Sequence, residues 1–218
     1  MADRAPPAQD ELLADLAHPG CPVCRVARRA GDGVLTRLIS ESTTDPDTRI
    51  RLRAAGGVCP EHAARVAELG TRRVDGQPVA ILANDLLGRV EKEATTARPW
   101  RPVRHAAGCQ VCESVAPRVD AYLDLLAGSA DDSEVGQAAR QPDRGICSAH
   151  LRRALRRRRR PVAVRRLTAL HRQVAEPLRA ELDTYRRAIR DPAQELDERV
   201  ATSWRRAWEW VHGTSPPR

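Results

Sequence analysis

The chain has 218 residues, of which 41% are hydrophobic and 30% charged, and its formal net charge is +8. These values indicate a globular protein with a hydrophobic core, arranged as one large domain or two small ones, and exclude a wholly disordered chain. Phe is absent and only two Tyr and four Trp occur, so Leu, Val and Ala must fill the core, which favours helical layers over a β-sandwich.

The charge and the termini limit the environment and the partners. Of the 37 basic residues 36 are Arg, Lys92 being the exception, and this excess favours an anionic partner, either an acidic protein or nucleic acid. The start of the chain, MADRAPPAQDELLADLAHPG, has no apolar stretch typical of a secretory signal. No apolar run approaches the roughly 18 residues of a membrane span. We therefore predict a cytoplasmic protein without a membrane span.

Apolar periodicity predicts an all-α fold. Asp10 and Glu11 indicate a helix within an N-terminal segment, residues 1–17. Further helices are predicted from apolar residues three and four positions apart and from prolines at helix starts, at residues 22–40, 59–69, 78–94, 110–127, 147–159 and 161–190. Pro177 is expected to kink or split the last of these. A final amphipathic helix carrying three Trp is predicted within residues 192–212, followed by a disordered tail, 213–218.

All six cysteines belong to a set of residues that occurs twice. The first set is Cys-x2-Cys, 34 residues, then Cys-x2-His, and the second set follows at an offset of 88 positions. The four residues of the first set are Cys21, Cys24, Cys59 and His62, and those of the second are Cys109, Cys112, Cys147 and His150. Glycines before the cysteines also match. The offset predicts two tandem repeats, residues 18–98 and 105–191, joined by a linker at 99–104.

The chemistry of these residues predicts two metal sites. A Cys-x2-Cys turn brings two thiolates to one ion, and a Cys-x2-His helical turn adds a thiolate and an imidazole on one face. Zinc accepts such a Cys3His set in closed structural sites. We predict that each repeat binds its own zinc ion through its own four residues. The alternative is an exchange, in which the first pair of one repeat meets the second pair of the other.

Other chemistries remain open for these residues. Iron–sulfur clusters also accept thiolate and imidazole ligands, which would make the chain a redox protein or an enzyme component. Disulfides across the two Cys-x2-Cys turns would leave Cys59, His62 and their counterparts unexplained. A catalytic metal site would require one ligand to be replaced by water. No motif identifies a catalytic acid, base or nucleophile, so a non-enzyme is favoured.

The first set resembles an uncharacterised group of bacterial helical proteins with paired Cys-x2-Cys and Cys-x2-His elements. The resemblance rests on Gly20–Arg25 (GCPVCR) and Gly57–His62 (GVCPEH) and extends over about residues 18–190. It implies a metal-bound helical fold and no activity. The second copy departs from the pattern, since Gln110 replaces Pro22 and Ser148-Ala149 replaces Pro60-Glu61.

An Arg-rich stretch follows the second Cys-x2-His element and predicts a weak anion-binding surface. Residues 151–166 contain nine Arg, with no aromatic residues between them to stack on bases. Those assigned to this surface are Arg152, Arg153, Arg156, Arg157, Arg158, Arg159 and Arg160. The sequence thus predicts a metal-binding helical adaptor protein with a basic surface, and a nucleic-acid-binding regulator is a further alternative.

Overall fold

The protein is built from eleven helices in the residues that its structure, a computed structural model, describes: 9–41, 43–72, 76–96, 108–157, 160–190 and 195–213. They are α1 (Gln9–Leu16), α2 (Pro22–Ser40), α3 (Pro46–Ala54), α4 (Pro60–Arg72), α5 (Gln77–Thr96), α6 (Gln110–Gly128), α7 (Glu134–Ala139), α8 (Ser148–Arg156), α9 (Pro161–Ala188), α10 (Glu198–Ala201) and α11 (Ser203–His212). No strand occurs in these ranges, so the predicted all-α class is confirmed. The predicted linker, 99–104, and tail residues 214–218 lie outside them.

Local sequence signals set where several helices begin. Proline is the first residue of α2, α3, α4 and α9, where its missing N–H costs no helical hydrogen bond. Asp45 accepts a hydrogen bond from the Thr48 N–H before α3, and Ser133 accepts one from the Gly136 N–H before α7. Helices α3 and α7 were not among those predicted, because helices of nine and six residues are too short to show a clear apolar stripe.

Two predictions about the C-terminal part are corrected. Helix α9 continues through Pro177 to Ala188, so the proline does not split it. The single helix predicted within 192–212 is instead two helices, α10 and α11, which meet at Thr202. Gly213, predicted as part of the tail, ends α11 in the left-handed conformation with a φ of 77°.

The helices form two compact units, and the residues of neither unit coincide with those of one predicted repeat. Unit 1 comprises Met1–Arg28 and Arg118–Arg218, and unit 2 comprises Arg29–Pro117. The boundaries fall inside α2 and α6, so each of these helices contributes to both units. The ranges 18–98 and 105–191 remain predictions about repeated sequence, and each unit takes residues from both.

Unit 1 has the larger aliphatic core. Helix α1 packs on α7, α8 packs on α9, and α11 packs on both α8 and α9. The fully buried side chains of this unit include Leu12, Leu16, Val23, Val26, Tyr122, Leu123, Ile146 and Leu167. Tyr122 is the one aromatic residue among them, and its hydroxyl donates a hydrogen bond of 2.8 Å to the buried carboxylate of Asp15.

Unit 2 is smaller and is held together by α5, which packs on α3 and α4. Its buried apolar side chains are Leu35, Leu38, Ile39, Leu52, Leu82, Val111 and Val115. Arg49 on α3 donates two hydrogen bonds of 2.5 and 2.6 Å to Asp85 on α5, which fixes these helices to each other. The inner face of α5 contributes buried Leu82, whereas its outer face carries exposed Leu87 and Val90.

Of the three Trp on α11, two are exposed and one packs on the protein. Trp204 is 51% exposed and Trp208 is 70% exposed. Trp210 does pack on the protein, stacked on the His171 ring of α9 with 6.0 Å between ring centroids. Among the described helices, none combines the length and apolar character that crossing a membrane requires.

The pair formed by Tyr122 and Asp15 gives a testable contribution to stability. The substitution Tyr122→Phe removes the buried hydroxyl. It should lower the free energy of unfolding by about 1–3 kcal/mol, because the Asp15 carboxylate loses a buried hydrogen-bond donor. Urea denaturation measures this change. Tyr185→Phe on α9 is the control, and an equal loss in both variants would contradict the assignment.

Candidate metal centres

The eight Cys and His residues singled out from the sequence converge in two groups of four. Cys21, Cys24, Cys147 and His150 form the first quartet, which lies wholly in unit 1. Cys59, His62, Cys109 and Cys112 form the second quartet, which lies wholly in unit 2. Within each quartet, one possible ligand atom from every residue lies within 4.8 Å of the others, so each quartet could hold a metal ion.

The pairing predicted within each repeat is therefore wrong, and the exchanged arrangement is the one observed. Each quartet joins the Cys-x2-Cys pair of one sequence copy to the Cys-x2-His pair of the other. The physical reason lies in α2 and α6, since each begins in one unit and ends in the other. A Cys pair at the start of such a helix belongs to a different unit from the residues that follow its far end.

Helix starts position the donors in both quartets. Cys21 and Cys109 each stand directly before a helix, after a glycine with a left-handed φ of 98° at Gly20 and 72° at Gly108. Cys147 is the N-cap of α8. Any residue with a Cβ atom would be strained in the left-handed conformation at these two positions. The exposed N–H groups at a helix start favour a thiolate over a thiol.

In the first quartet, the distances join all four residues into one cluster. The His150 Nδ1 atom lies 3.1 Å from the sulfur of Cys147, 3.4 Å from that of Cys24 and 3.7 Å from that of Cys21. The sulfurs of Cys24 and Cys147 are 3.6 Å apart. All three cysteines are buried.

The second quartet repeats this geometry. The His62 Nδ1 atom lies 3.1 Å from the sulfur of Cys59, 3.5 Å from that of Cys112 and 3.6 Å from that of Cys109. The sulfurs of Cys59 and Cys112 are 3.8 Å apart. Each distance is within 0.2 Å of the one between corresponding residues in the first quartet. All six cysteines are free of disulfide bonds.

In the absence of a cation, the pKa values of two neighbouring thiols of the first quartet, Cys21 and Cys24, shift in opposite directions. Burial raises the pKa of Cys21, but hydrogen bonds with its neighbours outweigh burial and bring it well below its ordinary value. Hydrogen bonds with Cys147 and Cys21, together with burial, raise the pKa of Cys24. Although burial lowers the pKa of His150, its hydrogen bonds to Cys147 and Cys21 raise it to about 10. A divalent ion would replace the protons that this crowding otherwise retains.

The second quartet shows the same opposition between its two neighbouring thiols. Burial opposes the ionisation of Cys109, but backbone N–H groups of Cys59, Cys112 and Val111 lower its pKa. Burial and the charge of Cys109 raise the pKa of Cys112 to about 12. Cys112 is nevertheless exposed, whereas the corresponding residue of the first quartet, Cys24, is only 5% exposed. The two candidate centres thus share a geometry and differ in solvent access.

Each unit also contains an Arg–Asp ion pair that was not among the predicted features. Arg65 of α4 forms two hydrogen bonds of 2.6 and 2.7 Å with Asp32 of α2. Arg153 of α8 forms two of 2.8 and 3.0 Å with Asp120 of α6. The two pairs lie 88 positions apart in sequence, so applying the offset of the cysteines to charged residues would have identified them. Each pair joins the helix that carries the Cys-x2-His residues to α2 or α6.

Arg157 also binds Asp120, and this changes the anion-binding prediction. Arg157 lies 2.8 Å from the same carboxylate as Arg153, so both side chains have an internal partner. Arg152, Arg156 and Arg160 are exposed, as the prediction requires, whereas 158–159 lie outside the described residues. Burial tends to raise the pKa of Asp120, but hydrogen bonds with Arg153 and Arg157 outweigh burial and lower this pKa below its ordinary value. The resulting stabilisation is complete above the unfolded pKa of about 3.9 and is lost as the pH falls below it.

Comparisons with protein-family models, with curated proteins and with solved structures gave no match to this chain.

The bidentate pair Asp120–Arg153 can be tested by a double-mutant cycle. Asp120→Asn, Arg153→Met and the double variant should give a coupling of about 0.5–1 kcal/mol at neutral pH, since both groups are partly exposed. Chemical denaturation measures the coupling. The neighbouring Arg152→Met is the control, and a cycle of Asp120→Asn with it should give a smaller coupling. Equal couplings in the two cycles would refute a specific pair.

Proposed function

We propose that the chain is a metal-stabilised binding or adaptor protein, in which two zinc ions have a structural role. The observation that carries this proposal is the convergence of three sulfurs and one imidazole nitrogen in each quartet. Cys21, Cys24, Cys147 and His150 would hold one ion, and Cys59, His62, Cys109 and Cys112 the other. Four protein ligands leave no open position for water or substrate, which is typical of structural zinc.

The distances support a single ion in each quartet over an iron–sulfur cluster. With zinc–sulfur bonds of about 2.3 Å and zinc–nitrogen bonds of about 2.0–2.1 Å, a tetrahedron has sulfur–sulfur edges of about 3.8 Å and sulfur–nitrogen edges of about 3.5 Å. The corresponding distances in the two quartets are 3.6–3.8 Å and 3.1–3.7 Å. In a cluster, the cysteines are divided among several irons and their sulfurs lie further apart.

We further propose that the chain arose from two copies of one helical unit. Several features recur at the 88-residue offset in addition to the eight metal donors. Helix α2 (Pro22–Ser40) corresponds residue for residue to α6 (Gln110–Gly128), and the start of α4 corresponds to that of α8. The N-caps Asp45 and Ser133 also correspond, as do the ion pairs described above. Two ions that join different copies would make the folding of each copy depend on the other.

The exchanged ligand sets make a sharp prediction about metal content. Wild-type protein should contain two zinc ions per chain, measured by elemental analysis after gel filtration. Cys21→Ser and Cys147→Ser disrupt the same site, so each variant and their combination should retain one ion. Cys21→Ser combined with Cys59→Ser disrupts both sites and should retain none.

Pairing within a repeat would reverse the metal contents of the two double variants, because Cys21 and Cys59 would then share a site. The Cys21→Ser, Cys59→Ser variant would retain one ion and the Cys21→Ser, Cys147→Ser variant none. Circular dichroism shows whether a variant that loses metal also loses helix. A brown preparation with absorption near about 400 nm and stoichiometric iron would support the redox alternative instead. A colourless protein without any metal that is fully folded would refute both.

A groove in unit 1 supports a binding role directed at anions. A cavity of about 950 Å³ lies between α7 and α9, with Val135, Val164 and Leu170 among its apolar lining. Four arginines also line it, Arg140, Arg165, Arg166 and Arg172, against the two acidic residues Asp131 and Glu176. Asp131 forms ion pairs with Arg140 and Arg166. A lining that combines apolar side chains with arginines suits an acidic protein segment better than duplex DNA, whose outer surface is mainly phosphate and sugar.

Salt dependence separates these two anionic partners. A fluorescent 20-base-pair DNA duplex and a poly-glutamate peptide would be titrated with protein at about 50 and 200 mM salt. Binding of DNA that weakens by about a thousand-fold or more between these salt concentrations would indicate many phosphate contacts and support the nucleic-acid alternative. We expect little binding of DNA. The acidic peptide should bind, and the double variant Arg165→Glu, Arg172→Glu should abolish its binding. Arg186→Glu, an exposed arginine outside the groove, is the control.

A further inference from the structure

In unit 1, the helices α10 and α11 cover one face of α9. Trp210 stacks on His171 of α9. Leu178, two helical turns further along the same face of α9, is only 6% exposed. Trp210 and Leu178 line a cavity of about 360 Å³, and Cys21, Cys24 and Cys147 are among its other lining residues. The C-terminal helices therefore lie against both α9 and the first quartet.

The end of α11 lies directly over the first quartet. The Gly213 carbonyl oxygen is 3.0 Å from the sulfur of Cys24. A Cβ atom added at Gly213 would lie 3.1 Å from the sulfur of Cys147 and 3.0 Å from the Cβ of Ala149. Glycine is needed at this position because of its left-handed φ and because of the close approach to the metal donors. Cys24 and Cys147 are accordingly 5% and 1% exposed.

Among the described residues, none covers the corresponding surface of unit 2 in this way. Val90 of α5 corresponds by the 88-residue offset to Leu178 of α9, and it is 61% exposed. Leu87, at the position of Ala175, is 68% exposed. Cys112, the counterpart of Cys24, is exposed, and Cys59, the counterpart of Cys147, is partly exposed. In unit 1, by contrast, Leu178 is buried, and α11 packs on α9 and ends at the quartet.

Charge indicates what kind of helix would fit this surface. In unit 1 the carboxylate of Glu181 on α9 accepts hydrogen bonds from Arg199 and Arg206 of the C-terminal helices. The sequence places another glutamate, Glu93, at the position in α5 that corresponds to Glu181. A helix that binds α5 in the same way would therefore carry basic residues beside an apolar face. The chain has one α11, and it is already bound within its own unit 1.

We propose that Leu87, Val90 and the open side of the second quartet bind a basic amphipathic helix of a partner protein. The partner helix would lay its apolar face on α5 and end beside Cys59 and Cys112, as α11 ends beside Cys147 and Cys24. This inference rests on the proposed function, because it treats the two quartets as equivalent metal sites. Binding by an amphipathic helix on an exposed apolar surface is a common mode of recognition.

The probe is the segment that packs on α9 in unit 1 and supplies Arg199 and Arg206 to Glu181. A fluorescein-labelled peptide with the sequence of residues 195–213 would be titrated with the full-length, zinc-loaded protein, and anisotropy would report binding. We expect saturable binding that weakens by about ten-fold or more in Leu87→Glu with Val90→Glu, because two central apolar contacts are lost. Ile50→Glu, at a 57% exposed apolar position on α3 of the same unit, is the matched control and should leave binding unchanged.

A second readout is specific to the metal site. Bound peptide should slow the transfer of one of the two zinc ions to a chromophoric chelator, and the slowing should disappear in the Leu87→Glu, Val90→Glu variant. Circular dichroism establishes that the variant is folded. A protein that contains two zinc ions but does not bind the peptide, or binds it equally well with both substitutions, overturns this inference alone.

Other outcomes assign the surface differently. A concentration-dependent dimer in sedimentation that is lost on substitution of Leu87 and Val90 would show that a second copy occupies the face, and this overturns the partner helix. Metal content below two ions in the wild-type protein would instead contradict the proposed function on which the inference rests.

Discussion

The structure depends on bringing donors together from distant parts of the chain. In the first quartet, His150 is 129 residues from Cys21, whereas in the second, Cys109 is 47 residues from His62. Closing such long loops costs conformational entropy, and metal–ligand bonds can offset that cost in a protein with few aromatic residues. An ion at each quartet would tie the start of one long helix, α2 or α6, to the start of a shorter one, α8 or α4.

The neighbouring contacts are arranged to maintain this convergence. A bidentate Arg–Asp pair joins the same two helices in each unit, Asp120–Arg153 in one and Asp32–Arg65 in the other. A glycine with a left-handed φ precedes the first cysteine in both, which turns the chain into the helix that follows. These features hold backbone and helix axes in place, so that only small side-chain movements would be needed to bind an ion.

The main difference between the two units is what covers the quartet. In unit 1, the end of α11 lies on the sulfurs, and the adjoining face of α9 is packed. In unit 2, Cys112 is exposed and Cys59 partly exposed, and Leu87 and Val90 of α5 are exposed. Two equivalent geometries with unequal exposure are consistent with one centre that serves only stability and another that also lies at a binding surface.

The sequence alone determined the helical class, the eight donors and most helix positions, because side-chain chemistry and apolar periodicity are local properties. Helix α2 begins and ends where the pattern predicts, at Pro22 and Ser40. The short helices α3 and α7 and the break at Thr202 escaped prediction, since each depends on caps and contacts rather than on a long apolar stripe. Only the tertiary structure decided which donors share a site. Equal spacing in both copies is compatible with either pairing. The exchanged pairing arises because α2 and α6 each begin in one unit and end in the other.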